Sequence, residues 1–195
     1  MTRQDRQATR GQRWELLGAQ GATVWFTGLP GAGKTTVASA LELRLLEQGR
    51  SAYLLDGDQL RRGICGDLGF TRADRDRNVQ RVGDLARLLA DAGTVAVVAL
   101  VSPYEAVRRR VRDQHHADGL QFVEIFVNTP LETCSERDPK GMYAKANAGR
   151  LDNFTGVDDP YEPPTSPDLE LTPELNVAEA VDTVLRILAD PTPQD

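Results

Sequence analysis

Short runs of apolar residues alternate with longer amphipathic segments along most of the chain. The runs are rich in β-branched and aromatic residues, which is typical of strands. They are Thr23–Thr27, Ala52–Leu55, Val95–Leu100, Phe122–Val127 and, more weakly, Leu169–Leu171. Strands that alternate with helices form a mostly parallel sheet with helices on both faces. The pattern therefore predicts an α/β fold, a three-layer sandwich around a central sheet of about five strands.

The two longest helices are predicted from spacing and from their end signals. Lys34–Gln48 places its apolar side chains on one stripe and is followed by Gly49, a residue suited to end a helix. A second helix is predicted from Thr71 as N-cap to Ala92, with Gly93 as its stop.

Two further helices are predicted from their first residues. Thr129 is suited to the N-cap and Pro130 to the first helical position. Asn176 and Glu179 resemble a capping box, which predicts a last helix to about Leu188.

The predicted elements indicate one domain with short extensions. Residues 1–20 carry four arginines and little periodicity, which is typical of a mobile arm or a short irregular helix. Residues 21–190 hold the predicted strands and helices, and residues 191–195 form a tail. Within the domain, the proline-rich and acidic residues 158–167 predict an irregular connector.

Composition excludes several protein classes. Hydrophobic residues make up 40% and charged residues 27% of the 195, the balance of a globular protein. Two cysteines, Cys65 and Cys134, exclude a disulfide scaffold and a cysteine-based zinc site, and they favour a cytoplasmic location. The longest apolar run, Val95–Val101, is too short to span a membrane, so no membrane partner is expected. We expect His115 and His116, in a polar helix end, to be solvated and not to be ligands.

Charge is distributed unevenly. The net charge is −6, and residues 158–195 hold ten acids and one base, a local net of −9. The preceding 157 residues therefore carry +3. This balance does not indicate a nucleic-acid partner, but it leaves the body basic enough to hold a small anion.

The strongest chemical signal follows the first predicted strand. The segment from Gly28 to Thr35 matches G-x-x-x-x-G-K-[ST] and precedes a helix. Its glycines let backbone N–H groups close around phosphates at a helix N-terminus. Lys34 is suited to reach the β- and γ-phosphates, and the Thr35 hydroxyl to ligate Mg²⁺. The motif predicts a P-loop NTPase-type fold that binds a nucleoside triphosphate through Gly28, Leu29, Pro30, Gly31, Ala32, Gly33, Lys34, Thr35 and Thr36.

Two carboxylates follow the second predicted strand. Asp56 and Asp58 lie at its carboxyl end, where ligands bind in open α/β sheets. Beside a triphosphate they are suited to hold Mg²⁺ or to accept a proton from an attacking hydroxyl. Asp-Gly-Asp is also a common turn in which an aspartate caps the next helix. Spacing alone leaves both interpretations open.

Longer strings identify a family. The chain contains GLPGAGKTT, LDGDQLRRGI, DLGFTRADRDRNVQR, VSPY, ERDPKGMYAKANAG and NFTGVDDPYEPP, which closely resemble adenylylsulfate kinases (APS kinases) over roughly residues 21–188. The resemblance implies transfer of the γ-phosphoryl group of ATP to the 3′-hydroxyl of adenosine 5′-phosphosulfate (APS). The products are 3′-phosphoadenosine 5′-phosphosulfate (PAPS) and ADP, in sulfate activation. It also implies Mg²⁺ with ATP, a homodimer and an association with ATP sulfurylase.

The resemblance implies roles for individual polar residues. Asp58 corresponds to a catalytic carboxylate beside the acceptor hydroxyl and the metal, and Asp56 to a ligand of the metal shell or the substrate. Arg61, Arg75 and Asn78 correspond to contacts with the phosphosulfate. Arg75 and Asn78 share a helix face because they are three residues apart. The alternative for Arg75 is a solvated position in an Asp/Arg-rich helix.

Two phenylalanines and a serine complete the expected acceptor site. Phe70 and Phe154 correspond to two rings that hold the substrate adenine between them, with core packing as the alternative. Ser102 corresponds to a serine described in the family as a phospho-acceptor. We expect direct in-line transfer, with Ser102 as a contact to substrate or metal. A helix cap before Pro103 is its other, compatible role.

Residues of about 137–160 resemble the family's mobile lid. Arg137 is expected to bind ATP, and Lys140 and Lys145 the substrate, with Asn153 in the same segment. Closure of a lid excludes the water that would otherwise hydrolyse ATP.

Two other functions fit part of the pattern. Another small-molecule kinase would keep the P-loop but would not need Phe70 and Phe154 as an adenine clamp. A nucleotide-binding regulatory module would not need the complete set of Lys34, Thr35 and Asp58.

Overall fold

The sheet is entirely parallel in the part of the chain that is described. The computed structural model describes residues 8–189, which contain the strands β1 (Ala22–Thr27), β2 (Ala52–Asp56), β3 (Val95–Ala99), β4 (Gln121–Val127) and β5 (Leu169–Leu171). Their order across the sheet is β2-β3-β1-β4-β5, and every neighbouring pair is parallel. The predicted strands are therefore confirmed to within one residue at each end.

Helices connect the strands on both faces of the sheet. Over the same residues they are α1 (Arg10–Leu17), α2 (Lys34–Glu47), α3 (Gly57–Leu60), α4 (Arg72–Ala92), α5 (Glu105–Ala117), α6 (Leu131–Arg137), α7 (Met142–Asn147) and α8 (Val177–Ala189). The predicted end signals of α4 are confirmed. The Thr71 hydroxyl accepts a hydrogen bond from Asp74 N, and Gly93 has a left-handed φ of 100°. At the start of α8, Asn176 Oδ1 accepts from Glu179 N at 2.9 Å.

The core has two halves, one on each face of the sheet. Successive residues of β1 point to opposite faces. Phe26 packs with Leu41 of α2 and Val184 of α8 in one cluster. Trp25 packs with Val82 of α4 and Val111 of α5 in the other. These two clusters confirm the three-layer sandwich.

Two helix-end predictions are wrong. α6 begins at Leu131 with Pro130 as its N-cap, because the Thr129 hydroxyl donates to Ala32 O at 2.9 Å instead of capping the helix. His115 is fully buried and not solvated. Its Nδ1 lies 2.8 Å from Val111 O and its Nε2 lies 2.9 Å from the Thr23 hydroxyl.

The described part of the predicted arm is a regular helix. The Thr9 side chain caps α1 in a capping box, in place of an irregular segment. Arg10 and Arg13 both pair with Asp91 of α4, and the Trp14 indole N–H donates to Ala90 O at 3.3 Å. The arm's first seven residues and the predicted tail lie outside the described residues. No helix within residues 8–189 has the length and apolar character needed to cross a membrane.

Candidate active site

The loop after β1 has the backbone of a phosphate cradle. Gly28 has a φ of 147°, and a Cβ atom there would lie 2.6 Å from Val127 O, so only glycine fits. Gly31 and Gly33 also have left-handed φ values, of 78° and 102°. Gly33 is the N-cap of α2 and makes no side-chain cap hydrogen bond. The positive end of the α2 dipole therefore faces the loop without a capping side chain.

Lys34 lies inside this loop. Its Nζ donates to Gly28 O at 3.0 Å and to Leu29 O at 2.8 Å. Burial lowers the pKa of Lys34 to about 8, because desolvation disfavours the charged ammonium. A phosphate group beside Nζ would supply the negative charge that this environment lacks.

The Asp56 carboxylate caps a helix with one oxygen and contacts the P-loop with the other. Its Oδ1 accepts from the backbone N–H groups of Asp58 and Gln59, at 3.0 and 3.2 Å, and so caps α3. Its Oδ2 accepts from the Thr35 hydroxyl at 2.9 Å. The cap fixes the carboxylate against the P-loop threonine, which puts side by side two oxygen atoms of the kind that Mg²⁺ prefers.

A lid residue reaches the second carboxylate. Lys140, in the turn between α6 and α7, forms an ion pair with Asp58. Both side chains are 61% exposed, so this pair adds little to stability. The ion pair instead sets a position, because it joins the predicted lid to the candidate catalytic carboxylate. The Tyr143 hydroxyl of α7 adds a second tie by donating to Pro30 O at 2.9 Å.

Arg75 joins the two segments that carry the predicted adenine clamp. Its Nε donates to Phe70 O at 3.2 Å, and its Nη2 donates to Asn153 O. Arg75 is buried, and its Nε lies 3.5 Å from a carboxylate oxygen of Asp159. The alternative of a solvated arginine is therefore wrong: the residue lies inside the site, at the start of α4.

Arg61 holds the Phe70 loop from the other side. Its Nη1 donates to the carbonyls of Leu68 and Gly69, both at 2.9 Å, and its guanidinium lies 4.4 Å from the centre of the Phe70 ring. Burial lowers the pKa of Arg61, and the nearby positive charge of Arg75 adds to this effect. Two guanidinium groups in one partly buried place form an environment that favours an anion.

The two predicted clamp rings differ in exposure. Phe70 is 44% exposed, whereas Phe154 is 6% exposed and packs edge-on against Tyr143 with ring centres 4.9 Å apart. Asn78 is 5% exposed, and its Oδ1 has no hydrogen-bond partner among the described residues. An unsatisfied buried acceptor facing a cavity is suited to a ligand's donor group.

Ser102 lies at the carboxyl end of β3, turned into the protein. Its hydroxyl accepts from the Trp25 indole N–H at 3.1 Å and donates to the Thr27 hydroxyl at 2.9 Å. These bonds keep it from capping α5, so the capping interpretation is wrong. The N-terminus of α5 is bound instead by Glu162, whose carboxylate accepts from Glu105 N at 2.8 Å.

One cavity of about 790 Å³ brings most of these side chains together. Its walls include the predicted residues Pro30, Gly31, Gly33, Lys34, Thr35, Thr36, Asp56, Asp58, Arg61, Phe70, Arg75, Asn78, Ser102, Arg137, Lys140, Asn153 and Phe154. Four predicted residues do not line it. Gly28, Leu29 and Ala32 face the protein and shape the loop. Lys145 is exposed, because α7 buries Tyr143 and Ala146 on its inner face instead.

Backbone strain is concentrated at this cavity. Ser102 and Asn153, with φ values of 40° and 58°, are the non-glycine residues with φ above 20° in the left-handed region in the described part of the chain, and both line the cavity. Such conformations persist where surrounding contacts impose them and are frequent at functional sites.

Comparison with known proteins identifies the family to which the chain belongs. The sequence model of one protein family, described as adenylylsulphate kinase, matches residues 20–172. The chain belongs to the adenylylsulphate kinase family. An adenylyl-sulfate kinase of Yersinia pestis is 52% identical over 180 residues, which are 92% of this chain and 84% of that protein.

Solved structures of adenylylsulphate kinases share the fold. The Mycobacterium tuberculosis APS kinase in complex with AMPPNP and APS superposes with a TM-score of 0.85 at 49% identity, covering 88% of this chain and 99% of that one. A hexameric APS kinase from Thiobacillus denitrificans has a TM-score of 0.66 at 38% identity, and covers 88% of this chain and 29% of that one. The family resemblance and the P-loop kinase fold are thereby confirmed.

Sequence reasoning missed four side chains that build the site. Asp138 and Asp158 accept backbone N–H groups that start α7 and the Phe154 turn. The Asp159 carboxylate contacts Arg75, and the Tyr143 hydroxyl donates to Pro30 O. Each lies in a string used for the resemblance, RDPKGMY or GVDDP. Asp138 and Asp159 each precede a proline, and an aspartate in that position is itself a signal of a turn.

Proposed function

We propose that this protein is an ATP-dependent adenylyl-sulfate kinase that phosphorylates the 3′-hydroxyl of APS to give PAPS and ADP. One observation carries the proposal. One cavity is lined by the P-loop, by the Asp58 carboxylate and by Phe70 and Phe154. Arg75 joins the two segments that carry these phenylalanines. A cavity with one phosphate cradle and a separate aromatic pair fits two nucleotides, a donor and an acceptor. The likeness to an APS kinase complexed with AMPPNP and APS supports the same assignment.

The residues present fit a magnesium ion at the P-loop. Mg²⁺ takes hard oxygen ligands together with substrate phosphates. The Thr35 hydroxyl and the Asp56 carboxylate lie 2.9 Å apart beside the loop, and Asp58 follows on the next turn of chain. We assign these three residues to the metal. When bound with ATP, Mg²⁺ would neutralise charge on the transferred phosphoryl group.

The chain's own groups account for the remaining chemistry. The 3′-oxygen of APS attacks the γ-phosphorus, and the bond from that phosphorus to the β–γ bridging oxygen breaks to release ADP. Asp58 accepts the hydroxyl proton, for which its contact with Lys140 must loosen. Lys34 and the loop N–H groups stabilise the phosphates, and we assign to Arg137, which lines the same cavity, a contact with ATP.

The acceptor is assigned to the part of the cavity that the two phenylalanines line. Phe70 and Phe154 would hold the adenine. Arg61 and the side-chain N–H₂ of Asn78 would donate to the phosphosulfate, which leaves Asn78 Oδ1 for a donor group of the same ligand. We assign Ser102 a contact with the substrate and not the role of phospho-acceptor, because its hydroxyl is already hydrogen-bonded to Trp25 and Thr27. Closure of the lid over both nucleotides excludes water from the transferred phosphoryl group.

We also infer that the protein is cytoplasmic. Cys65 and Cys134 are both free and buried, as expected of a protein in the reducing cytoplasm, which supplies ATP. A homodimer and an association with ATP sulfurylase stay predictions, to be tested by sedimentation of the purified protein with and without that enzyme.

The function is tested by incubation with ATP, Mg²⁺ and APS, with product identified by mass spectrometry. PAPS formation that depends on APS is the expected result. Faster phosphorylation of a sugar or a nucleoside than of APS would favour another small-molecule kinase. Tight ATP binding without product at saturating APS would favour a regulatory module.

A further inference from the structure

The turn that carries Phe154 is held by a pair of carboxylates to which the proposed reaction gives no role. Asp158 accepts from the backbone N–H groups of Asn153 and Phe154, both at 2.6 Å. Asp159 points the other way, and its side chain is 13% exposed. The first carboxylate folds the turn upon itself, whereas the second connects it to the rest of the site.

Asp159 contacts three different parts of the protein. It accepts from the Tyr104 hydroxyl at 2.8 Å, next to α5, and from the Thr155 hydroxyl at 3.1 Å within the turn. Its third contact is Arg75 Nε, 3.5 Å away. Burial lowers the pKa of Arg75, and the negative charge of Asp159 is the strongest opposing influence. Asp159 is therefore the main counter-charge of this guanidinium.

The orientation of Arg75 matters because its two donors span the clamp. One nitrogen binds the carbonyl of Phe70 and another binds the carbonyl of Asn153, the residue before Phe154. The Asp159 carboxylate lies beside the same Nε that donates to Phe70 O, and a planar guanidinium held in this way at two nitrogens has a fixed orientation. The separation of the two phenylalanine-bearing segments is thus set through one side chain.

We propose that Asp159 is a positioning residue for the acceptor, acting through Arg75 to hold Phe70 and Phe154 at the spacing that a purine requires. This inference rests on the proposed function, because the purine is that of APS. Tyr104 supports the same carboxylate. Burial and the bond to Asp159 raise the pKa of Tyr104 to about 12, so its hydroxyl remains a donor at neutral pH. Neither residue touches the P-loop in this arrangement.

The test compares Asp159→Asn with the wild-type enzyme in steady-state assays. The substitution keeps the size of the side chain and removes its charge. We expect the KM for APS to rise about tenfold, with the KM for ATP changed less than about twofold. In an Arg75→Lys background, adding Asp159→Asn should raise the APS KM little further, because the two residues act as one unit.

Asp91→Asn is the matched control. It removes another aspartate that pairs with arginines, at the opposite end of α4, about 24 Å from Arg75 by helical rise. We expect its KM for APS to equal that of the wild type. Equal APS KM values for Asp159→Asn and Asp91→Asn would overturn the proposal. So would an undiminished effect of Asp159→Asn in the Arg75→Lys background.

Hydrogen exchange separates this inference from the proposed function. Asp159→Asn should increase amide exchange in residues 68–71 and 153–157 together, since both segments depend on Arg75. Wild-type protein that forms no PAPS would overturn the proposed function. Hydrogen exchange would still test whether Asp159 holds the Phe70 segment through Arg75. Unchanged protection of residues 68–71 in Asp159→Asn would contradict that role, whatever reaction the protein catalyses.

Discussion

At the scale of single residues, the site depends on side chains that do two things at once. Asp56 caps α3 with one oxygen and accepts from Thr35 with the other. Spacing predicts a cap or a metal ligand at this position and cannot show that one carboxylate has an oxygen for each. A cap holds a carboxylate in one rotamer, which is also what a metal ligand requires.

The assignment of Asp58 as proton acceptor predicts a large loss of turnover on its removal. Asp58→Ala should lower kcat about a hundred- to ten-thousand-fold while ATP binding changes little. Initial rates and calorimetric ATP binding measure the two effects. The control is Asp182→Ala, which removes an exposed aspartate of α8. A near-wild-type rate for Asp58→Ala would show that another group accepts the proton.

Lys34 predicts a specific pH dependence of ATP binding. Its pKa of about 8 means that the ligand-free enzyme loses this positive charge as pH rises through 8. Because phosphates bind the charged form, ATP should bind about tenfold more weakly at pH 9 than at pH 7. Lys34→Arg keeps its charge over this range and should show no such weakening. Equal ATP affinity at both pH values in the wild type would contradict the assignment.

At the scale of elements, sequence predicts what local spacing encodes. The strands and α4 follow from periodicity and caps, and the structure has them within a residue or two. The lid contacts could not be predicted in this way. Tyr143 meets Pro30 and Lys140 meets Asp58 across 113 and 82 residues of chain. Local spacing likewise predicts a helix cap at Thr129, because it cannot show that the hydroxyl's partner is Ala32, 97 residues away.

If residues 137–160 act as the proposed lid and exclude water, removing a contact that holds the lid should increase ATP hydrolysis. Tyr143→Phe loses the hydrogen bond to Pro30 O, worth about 0.5–1.5 kcal/mol. We expect ADP release in the absence of APS to rise by about two- to tenfold, measured in a coupled assay. Tyr53→Phe, at an exposed position of β2, is the control. No increase in APS-independent ADP release would mean that this bond does not hold the lid.

At the scale of the whole molecule, a buried charge network crosses the elements behind the site. Arg108 of α5 pairs with Glu124 of β4 at 2.8 Å, and its Nη1 donates to Ser102 O at 2.7 Å. Arg112 pairs with the same glutamate and with Asp168, just before β5. Sequence patterning left these charges unassigned, because an arginine on a helix next to a strand is usually solvated.

Breaking this network should destabilise the fold. Arg108→Ala leaves the Glu124 carboxylate, 7% exposed, without its closest partner. We expect the free energy of unfolding to fall by about 3–5 kcal/mol, measured by chemical denaturation. Arg109→Ala, at the exposed neighbouring position, should change it by less than about 0.5 kcal/mol. A similar small change for both variants would show that the network contributes no stability.

The central claim is that the cavity holds two nucleotides, with the acceptor's ribose facing the donor's terminal phosphate. A crystal structure of the protein with AMPPNP, Mg²⁺ and APS tests it most directly. We predict the APS adenine between the rings of Phe70 and Phe154, and its 3′-oxygen in line with the γ-phosphorus and within hydrogen-bond reach of Asp58. An adenine bound elsewhere, or a 3′-oxygen turned away from the γ-phosphorus, would contradict the account.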